Sequence, residues 1–256
     1  MDMDDTIHGQ LTISKGGDTW TAILSKDLTW SCDDDYLRRY LLQIRGLYSG
    51  CVTRGMMQAT KRDLEHGGYT VELNQSRDSV ISDVVKVNRE IREFWSNSHG
   101  WAPTDAAELL AKSRLDWQVS LSHCLELWLD HPMDEDHDGR LILAWVNLGS
   151  LVEGTLKFFL SVYEGDYSKA PRTRGQLKKP CRIDDLQLEE MKQFFNEHIW
   201  TDSQKHWNDW LGKIQCRRNA VHAYKDRDIG TFDEFLFEVE AYLDFLMELE
   251  RQVPYP

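Results

Sequence analysis

The sequence lacks the signatures of metal sites, disulfide scaffolds and nucleotide-hydrolysing enzymes. Its 256 residues contain five cysteines that are widely spaced and form no Cys-x-x-Cys pair, which is typical of reduced thiols. It has no Gly-rich loop of the Walker type and no Gly-x-Ser-x-Gly turn, so ATPase and esterase functions have no basis. Asp134, Asp136, Asp138 and Gly139 imitate the start of a calcium loop, but Trp145 replaces the bidentate Glu at its twelfth position. We therefore expect no metal and no cofactor.

Positive charge and long hydrophobic runs are also scarce. The chain has 30 Lys and Arg against 43 Asp and Glu, a net charge of −13, which argues against a protein that coats nucleic acid through its whole surface. One stretch is an exception, because its six charged residues are all basic: Lys169, Arg172, Arg174, Lys178, Lys179 and Arg182. No run approaches the roughly 18 apolar residues of a membrane span, and the first residues carry no targeting signal. We expect a cytoplasmic protein that contacts RNA only locally.

Most of the chain shows the apolar period of amphipathic helices. Alternating residues around Gly16 and Gly17 predict a short β-hairpin over residues 10–24, and residues 69–73 form a candidate strand. Gly100 and Pro103 mark the predicted boundary between an N-terminal region, residues 1–100, and a helical domain, residues 104–256. Helices are predicted over residues 36–65, 78–95, 105–130, 141–162, 185–199, 203–224 and 231–249. The helix at 141–162 has a wide apolar face that includes Ile142, and the last helix opens with the capping box Thr231-x-x-Glu234.

Polar chemistry is concentrated at Arg217, Arg218, Asn219 and His222. In a continuous helix, Arg218 and His222 would lie about 40° apart and Asn219 about 60° from His222, so these three side chains could face one ligand. Imidazole, with an ordinary pKa of about 6.5, suits proton transfer at neutral pH, and a guanidinium binds phosphate oxygens. This combination predicts cleavage of a phosphodiester without metal. The alternative is a helix end at which Arg and His only cover the last carbonyls.

The stretch Cys216 to Tyr224 resembles the signature of the HEPN family, four-helix domains whose RNase members carry an Arg, four to six residues and then a His, commonly with Asn after the Arg. Arg217 gives four intervening residues before His222, whereas Arg218 gives three but keeps the Arg-Asn pair, so both arginines stay candidates. The resemblance covers roughly residues 104–252. It implies an all-α fold, an HEPN-like antiparallel helical bundle, here with an N-terminal helical extension and the small hairpin.

This resemblance also implies a function, that of a metal-independent endoribonuclease in which the RNA 2′-hydroxyl attacks the adjacent phosphate. His222 would act as acid or base, Arg217 or Arg218 would clamp the scissile phosphate, and Asn219 would orient the substrate or the imidazole. One motif supplies a single imidazole, so we expect a homodimer that faces two motifs across a cleft. Similar proteins include toxins of toxin–antitoxin systems and antiviral defence effectors.

Other residues are candidate supports for this site. Glu153 and Lys157 form either a structural ion pair or, as in similar HEPN enzymes with Glu-x-x-x-Lys, a support for the catalytic cleft. Tyr224 either packs or is modified by a nucleotidyltransferase-type antitoxin, as in some similar toxins. The basic residues between 169 and 182 form either a solvated connection or an RNA-binding surface.

Two other hypotheses remain open. The chain could be a non-catalytic HEPN module that serves as a platform for dimerisation or for binding RNA or protein. Alternatively, the first 35 residues, which hold eight Asp against two Lys, could cover the basic stretch at residues 169–182 and restrain a toxin.

Overall fold

The computed structural model describes residues 7–25, 30–34, 37, 64–74, 77–130, 134–176, 178–222 and 224–254. They divide into two compact units, Met1–Ser79 and Val80–Pro256. The division therefore lies about twenty residues before the boundary that Gly100 and Pro103 suggested. The physical reason is that Val80 and Ile81 are buried in the hydrophobic core of the second unit, so their helix belongs to it.

The first unit contains an antiparallel four-stranded sheet in the order β3-β2-β1-β4. Its strands are β1 (Ile7–Lys15), β2 (Asp18–Ser25), β3 (Trp30–Cys32) and β4 (Thr70–Asn74). Gly16 and Gly17 connect β1 to β2 with φ of 64° and 98°, as a two-residue hairpin turn with positive φ at both positions requires. The predicted hairpin is confirmed, and β4 matches the candidate strand at residues 69–73. The predicted helix at residues 36–65 lies almost wholly outside the described residues.

The second unit is mostly helical, which confirms the predominantly α character of the chain. Its α-helices are α1 (Arg77–Trp95), α2 (Thr104–Lys112), α3 (Leu115–His123), α4 (His137–Val162), the single turn α5 (Glu164–Tyr167), α6 (Leu188–His198), α7 (His206–Arg218) and α8 (Phe232–Glu250). Short 3-10 helices lie at Cys124–Trp128, Ile183–Asp185 and Asn219–Val221, and a small hairpin pairs β5 (Thr173–Arg174) with β6 (Lys179–Pro180).

Local signals explain where some of these helices begin and end. The predicted capping box of α8 is confirmed, because Glu234 N donates to Thr231 Oγ1 at 3.2 Å and Thr231 N donates to the Glu234 carboxylate at 3.1 Å. The single helix predicted over residues 105–130 is wrong. Arg114 has a φ of 53°, a left-handed conformation that an α-helix does not contain, so α2 and α3 are separate helices.

Helix α4 is the central element of the second unit. Trp145, Leu148, Leu151, Val152 and Leu156 are fully buried, as expected for a helix enclosed on several sides. It is also the helix, among those described, that is long and apolar enough to cross a membrane, although 61% of its most apolar window is buried in the protein. Helices α2, α3, α7 and α8 all pack against it, so α4 positions whatever these helices carry.

A polar network crosses this apolar core. Gln118 Nε2 on α3 lies 3.2 Å from Thr155 Oγ1 on α4, and Thr155 Oγ1 lies 3.0 Å from the hydroxyl of Tyr242 on α8. Burial raises the pKa of Tyr242 above its ordinary value, so the hydroxyl keeps its proton. Asn88 on α1 donates to Ser122 Oγ on α3 at 2.9 Å. The network therefore fixes the register of these helices, because each buried polar group needs its partner.

Removing the Tyr242 hydroxyl tests this network. We expect Tyr242→Phe to lower the free energy of unfolding by about 1–2 kcal/mol, because Thr155 and Gln118 lose a buried partner. Urea denaturation measures the change. Tyr224→Phe is the control, since Tyr224 is fully exposed and its hydroxyl should contribute nothing. Equal stability of Tyr242→Phe and the wild type would show that the hydroxyl is dispensable.

Candidate functional site at the end of α7

Helix α7 ends before the histidine of the motif. Its last α-helical residue is Arg218, Asn219 is its C-cap, and a 3-10 turn follows at Asn219–Val221. His222 has an extended backbone with φ −83° and ψ 110°, and its N–H donates to Asn219 O at 3.2 Å. The prediction of a helix through residue 224 is therefore wrong, and the helical angle between Arg218 and His222 does not apply.

Arg217 is a structural residue in this arrangement. Its side chain is buried, its Nη2 lies 2.9 Å from Glu234 Oε2, and its guanidinium lies 4.8 Å from the ring centre of Trp145. Its Nη1 is buried without a hydrogen-bond partner in the described part of the chain. Gly230 leaves room for it, since a Cβ there would lie 2.5 Å from Arg217 Nη1. The placement of Arg217 does not support its predicted role as a phosphate clamp.

Arg218 lies at the surface of the same helical turn. Its aliphatic stem crosses Gly149 of α4, where a Cβ would approach the Arg218 side-chain carbons to 2.7–2.9 Å. Its Nη2 then reaches Glu153 Oε2 at 3.0 Å, with 31% of the Arg218 side chain exposed. The sequence spacing alone left both arginines open, and burial separates them. Arg218 is the arginine that a ligand can reach.

Glu153 connects Arg218 to a second cation. Its other carboxylate oxygen lies 3.0 Å from Lys157 Nζ, one helical turn further along α4. Lys157 Nζ also donates to the backbone oxygen of Asp184 at 3.3 Å. The predicted Glu153–Lys157 ion pair is present, and it contacts the motif through Arg218. Two cations share one carboxylate here, so the cluster Arg218–Glu153–Lys157 keeps one positive charge for an anionic ligand.

Three other motif residues face solvent to different degrees. Asn219 is half-buried, His222 is exposed and Tyr224 is fully exposed. The imidazole of His222 and the amide of Asn219 have no hydrogen bond or ion pair with any other described residue. The interpretation of Tyr224 as a packing residue is wrong as far as the described residues go, because its ring is fully exposed among them.

The basic stretch between residues 169 and 182 is largely neutralised. Arg172 pairs with Glu197 at 2.8 Å, Arg174 with Glu190, Arg182 with Asp184 at 3.0 Å, and Lys169 with Asp166 at 2.6 Å. The guanidinium of Arg174 holds the pKa of the Glu190 carboxyl below its ordinary value. Within the described chain, only Lys178 and Lys179 of the six predicted RNA-binding residues have no acidic partner. The sequence showed no acid inside the stretch, but its partners lie on either side of it: Asp166 just before it, and Asp184, Glu190 and Glu197 after it.

An open cleft of about 570 Å³ lies directly beside the motif. It runs between the start of α4 and the 3-10 turn that separates Asn219 from His222. Its walls and rim are formed by Asp136, Gly139, Arg140, Ile142, Leu143, Ala220 and Val221. Sequence reasoning missed this cleft, because the apolar period of α4 assigned Ile142 to a buried face and gave no reason to single out Leu143. In the structure Leu143 is 53% and Val221 is 49% exposed.

Comparison of the chain with protein-family models, curated proteins and solved structures found no match. No group of three or more His, Cys, Asp or Glu side chains in the described ranges could hold a metal ion. Function is therefore inferred from the residues at the end of α7 and their surroundings.

The close contact of Arg218 with Gly149 predicts that a side chain at position 149 would destabilise the protein. We expect Gly149→Ala to lower the free energy of unfolding by about 1–2 kcal/mol, because overpacking outweighs the higher helix propensity of Ala. Gly212→Ala in α7 is the matched control, since the nearest atom to a Cβ there is a lysine Nζ at 3.9 Å. It should leave stability unchanged or raise it by up to about 1 kcal/mol. A Gly149→Ala protein as stable as Gly212→Ala would contradict the close approach.

The different burial of the two arginines predicts different losses of stability when each is replaced by alanine. Arg217→Ala should lower the free energy of unfolding by about 2–4 kcal/mol, because it empties the space over Trp145 and removes the partner of Glu234. Arg218→Ala should cost only about 0–1 kcal/mol, as expected for a partly exposed ion pair. Denaturation of the two variants side by side measures the difference. If Arg218→Ala is the more destabilised protein, Arg217 is not the structural arginine and Arg218 is not the accessible one.

Proposed function

We propose that the protein is a HEPN-type, metal-independent endoribonuclease. The observation that carries this proposal is the exposed imidazole of His222, unbonded to any described residue, three residues after Asn219 and four after the accessible Arg218. An imidazole, an amide and a guanidinium at one exposed helix end form a set suited to a phosphodiester. The mostly helical second unit agrees with the fold that the resemblance implies.

The roles follow from accessibility. His222 transfers the proton at the attacking or leaving oxygen of RNA, and Arg218 binds the phosphate oxygens. Arg218 gives up part of its contact with Glu153 when phosphate binds, and Lys157 remains to balance that carboxylate. Asn219 orients the ribose or the imidazole. Arg217 contributes through the fold, because it holds the residues that follow the motif.

The assembly is proposed on chemical grounds. Transfer with both a base and an acid needs two groups, and one motif supplies one imidazole, so a homodimer provides the second. We place the activity in the cytoplasm, as a toxin or an antiviral defence effector acting on RNA. The full exposure of Tyr224 supports its modification by a nucleotidyltransferase-type antitoxin, because the hydroxyl of an unpacked ring is accessible to an enzyme.

A specific observation also favours the non-catalytic platform. Both arginines already have acidic partners, Arg217 in Glu234 and Arg218 in Glu153. A site that binds no phosphate would look the same. In that case the bundle would serve for dimerisation or for binding RNA or protein, and His222 would only be an exposed residue.

RNA cleavage in EDTA separates the two functions. We expect the wild type to cleave RNA and His222→Ala to lower the rate by about 10²–10⁴-fold, the usual contribution of acid–base catalysis. Arg218→Ala should lower it by about 10²–10³-fold, as for loss of one transition-state charge contact. His206→Ala is the matched control, because His206 is exposed at the other end of α7. Intact RNA with wild type and variants alike would favour the platform.

A third hypothesis is that the acidic N-terminal segment restrains the enzyme by covering the basic stretch at residues 169–182, and the structure limits how this can be tested. Deleting residues 1–35 would remove strands β1, β2 and β3 of the sheet, so a truncated chain would not be a fair comparison. Substituting the exposed Asp18 and Asp33 with Asn leaves the strands in place. If their charge restrains the enzyme, the cleavage rate should rise at low salt, and an unchanged rate would refute the restraint.

A further inference from the structure

The cleft beside the motif has the surface of a ligand site. Its floor is aliphatic, with Leu143 and Val221 about half exposed and Ile142 and Ala220 partly buried. The cleft has a volume of about 570 Å³ and is widely open to solvent, so a ligand would lie against it with one face exposed. Exposed aliphatic side chains gathered in a concave surface gain free energy when an apolar face covers them.

The rim adds one acceptor and one donor. Asp136 precedes α4, makes no cap hydrogen bond with its side chain, and has no ion-pair or hydrogen-bond partner among the described side chains. Arg140 uses Nη2 to donate to the backbone oxygen of Asp130 at 2.6 Å, which holds its guanidinium in place and leaves its other N–H groups. A ligand with an apolar face, an acceptor edge and a donor edge complements this rim.

The position of the cleft narrows the choice of ligand. Ala220 and Val221 line it, and they are the residues between Asn219 and His222. His222 directly follows Val221, so a strand whose phosphate contacts His222 has a flanking nucleotide within reach of the cleft. A nucleobase has the required apolar face. Guanine accepts at O6 and N7 on one edge and donates from N1 and N2 on the adjoining edge, so it can bind a guanidinium and a carboxylate together.

We propose that this cleft binds a nucleobase of single-stranded RNA next to the scissile phosphate, and that guanine is preferred. The inference rests on the proposed ribonuclease function. Leu143 and Val221 contact the face of the base, Asp136 accepts from its N1 and N2 groups, and Arg140 donates to O6 or N7. Uracil has a single donor on its pairing edge, N3–H, and so keeps only one of the two hydrogen bonds that guanine makes to Asp136.

Binding of an uncleavable strand tests this site apart from catalysis. The probes are fluorescent 2′-O-methyl oligonucleotides, identical except for a single central guanine, uracil or abasic position, and fluorescence anisotropy measures their Kd with the full chain. We expect guanine to bind about ten-fold more tightly than uracil, as for one paired contact to a base edge. Leu143→Asp should weaken the guanine probe by at least about ten-fold and leave the abasic probe unchanged. Asp136→Asn should remove most of the preference for guanine over uracil.

Phe237→Asp is the matched control, because Phe237 on α8 is 66% exposed and does not line the cleft. It should bind every probe as the wild type does. Equal Kd values for Leu143→Asp and Phe237→Asp would overturn the inference. So would conversion of a dimer to a monomer by Leu143→Asp in analytical ultracentrifugation with unchanged oligonucleotide binding, since the cleft would then be a contact between two copies.

Cleavage of RNA measured in parallel distinguishes the two proposals. A wild type that cleaves RNA but shows no effect of Leu143→Asp on Kd or on base preference contradicts the base site alone. A wild type that binds the guanine probe through the cleft but cleaves nothing contradicts the nuclease and keeps the base site. No binding of any probe by the wild type overturns the base site.

Discussion

The candidate site depends on how the last turn of α7 packs against α4. Adjacent helical residues point about 100° apart, so when Arg217 turns inward over Trp145, Arg218 must lie along the surface of α4. Gly149 lets the Arg218 side chain lie along α4, because a Cβ at position 149 would collide with the aliphatic stem of Arg218. One pair of arginines thus gives an interior anchor and an accessible cation. The half-buried Asn219 and the exposed His222 follow directly from the same helix end.

The interior anchor also organises the chain after the motif. Trp145 Nε1 donates to Ile229 O at 2.8 Å, and the face of the same ring lies beneath Arg217. Glu234 accepts from both Arg217 and the backbone N–H of Thr231. The Thr231 backbone and then the Arg217 guanidinium hold the pKa of the Glu234 carboxyl below its ordinary value. The start of α8 is therefore fixed to the end of α7, and the loop that bears Tyr224 leaves and re-enters the bundle at defined points.

Much of the fold was predictable because it is encoded locally. Apolar periodicity located α1, α4, α6 and α8, the Gly16-Gly17 pair located the hairpin, and Thr231 with Glu234 located the start of α8. Two helix ends were predicted wrongly, the break at Arg114 and the end of α7 at Arg218. Neither position has a proline or glycine that would mark the end of a helix in the sequence. Packing against α4 decides both, and periodicity does not contain that information.

The site was less predictable than the fold. Motif spacing favoured neither arginine, and burial decided between them. The basic stretch at residues 169–182 looked like a binding surface because its partners, such as Glu190 and Glu197, lie later in the chain. The exposed cleft at Leu143 and Val221 needed two distant segments to come together. The burial of Arg217, the cleft and two of the four ion pairs of the basic stretch depend on contacts between residues far apart in sequence. Composition and periodicity do not report such contacts.

The end groups of the RNA products test the central claim most directly. In the proposed reaction the 2′-hydroxyl gives its proton to a base and its oxygen bonds to phosphorus, while the bond from phosphorus to the 5′-oxygen breaks and that oxygen takes a proton from an acid. Mass spectrometry of products formed by the wild type in EDTA should then show 2′,3′-cyclic phosphate and 5′-hydroxyl ends, absent with His222→Ala. Products with 3′-hydroxyl and 5′-phosphate ends, or products that His222→Ala forms equally well, would contradict an imidazole-dependent attack by the RNA itself.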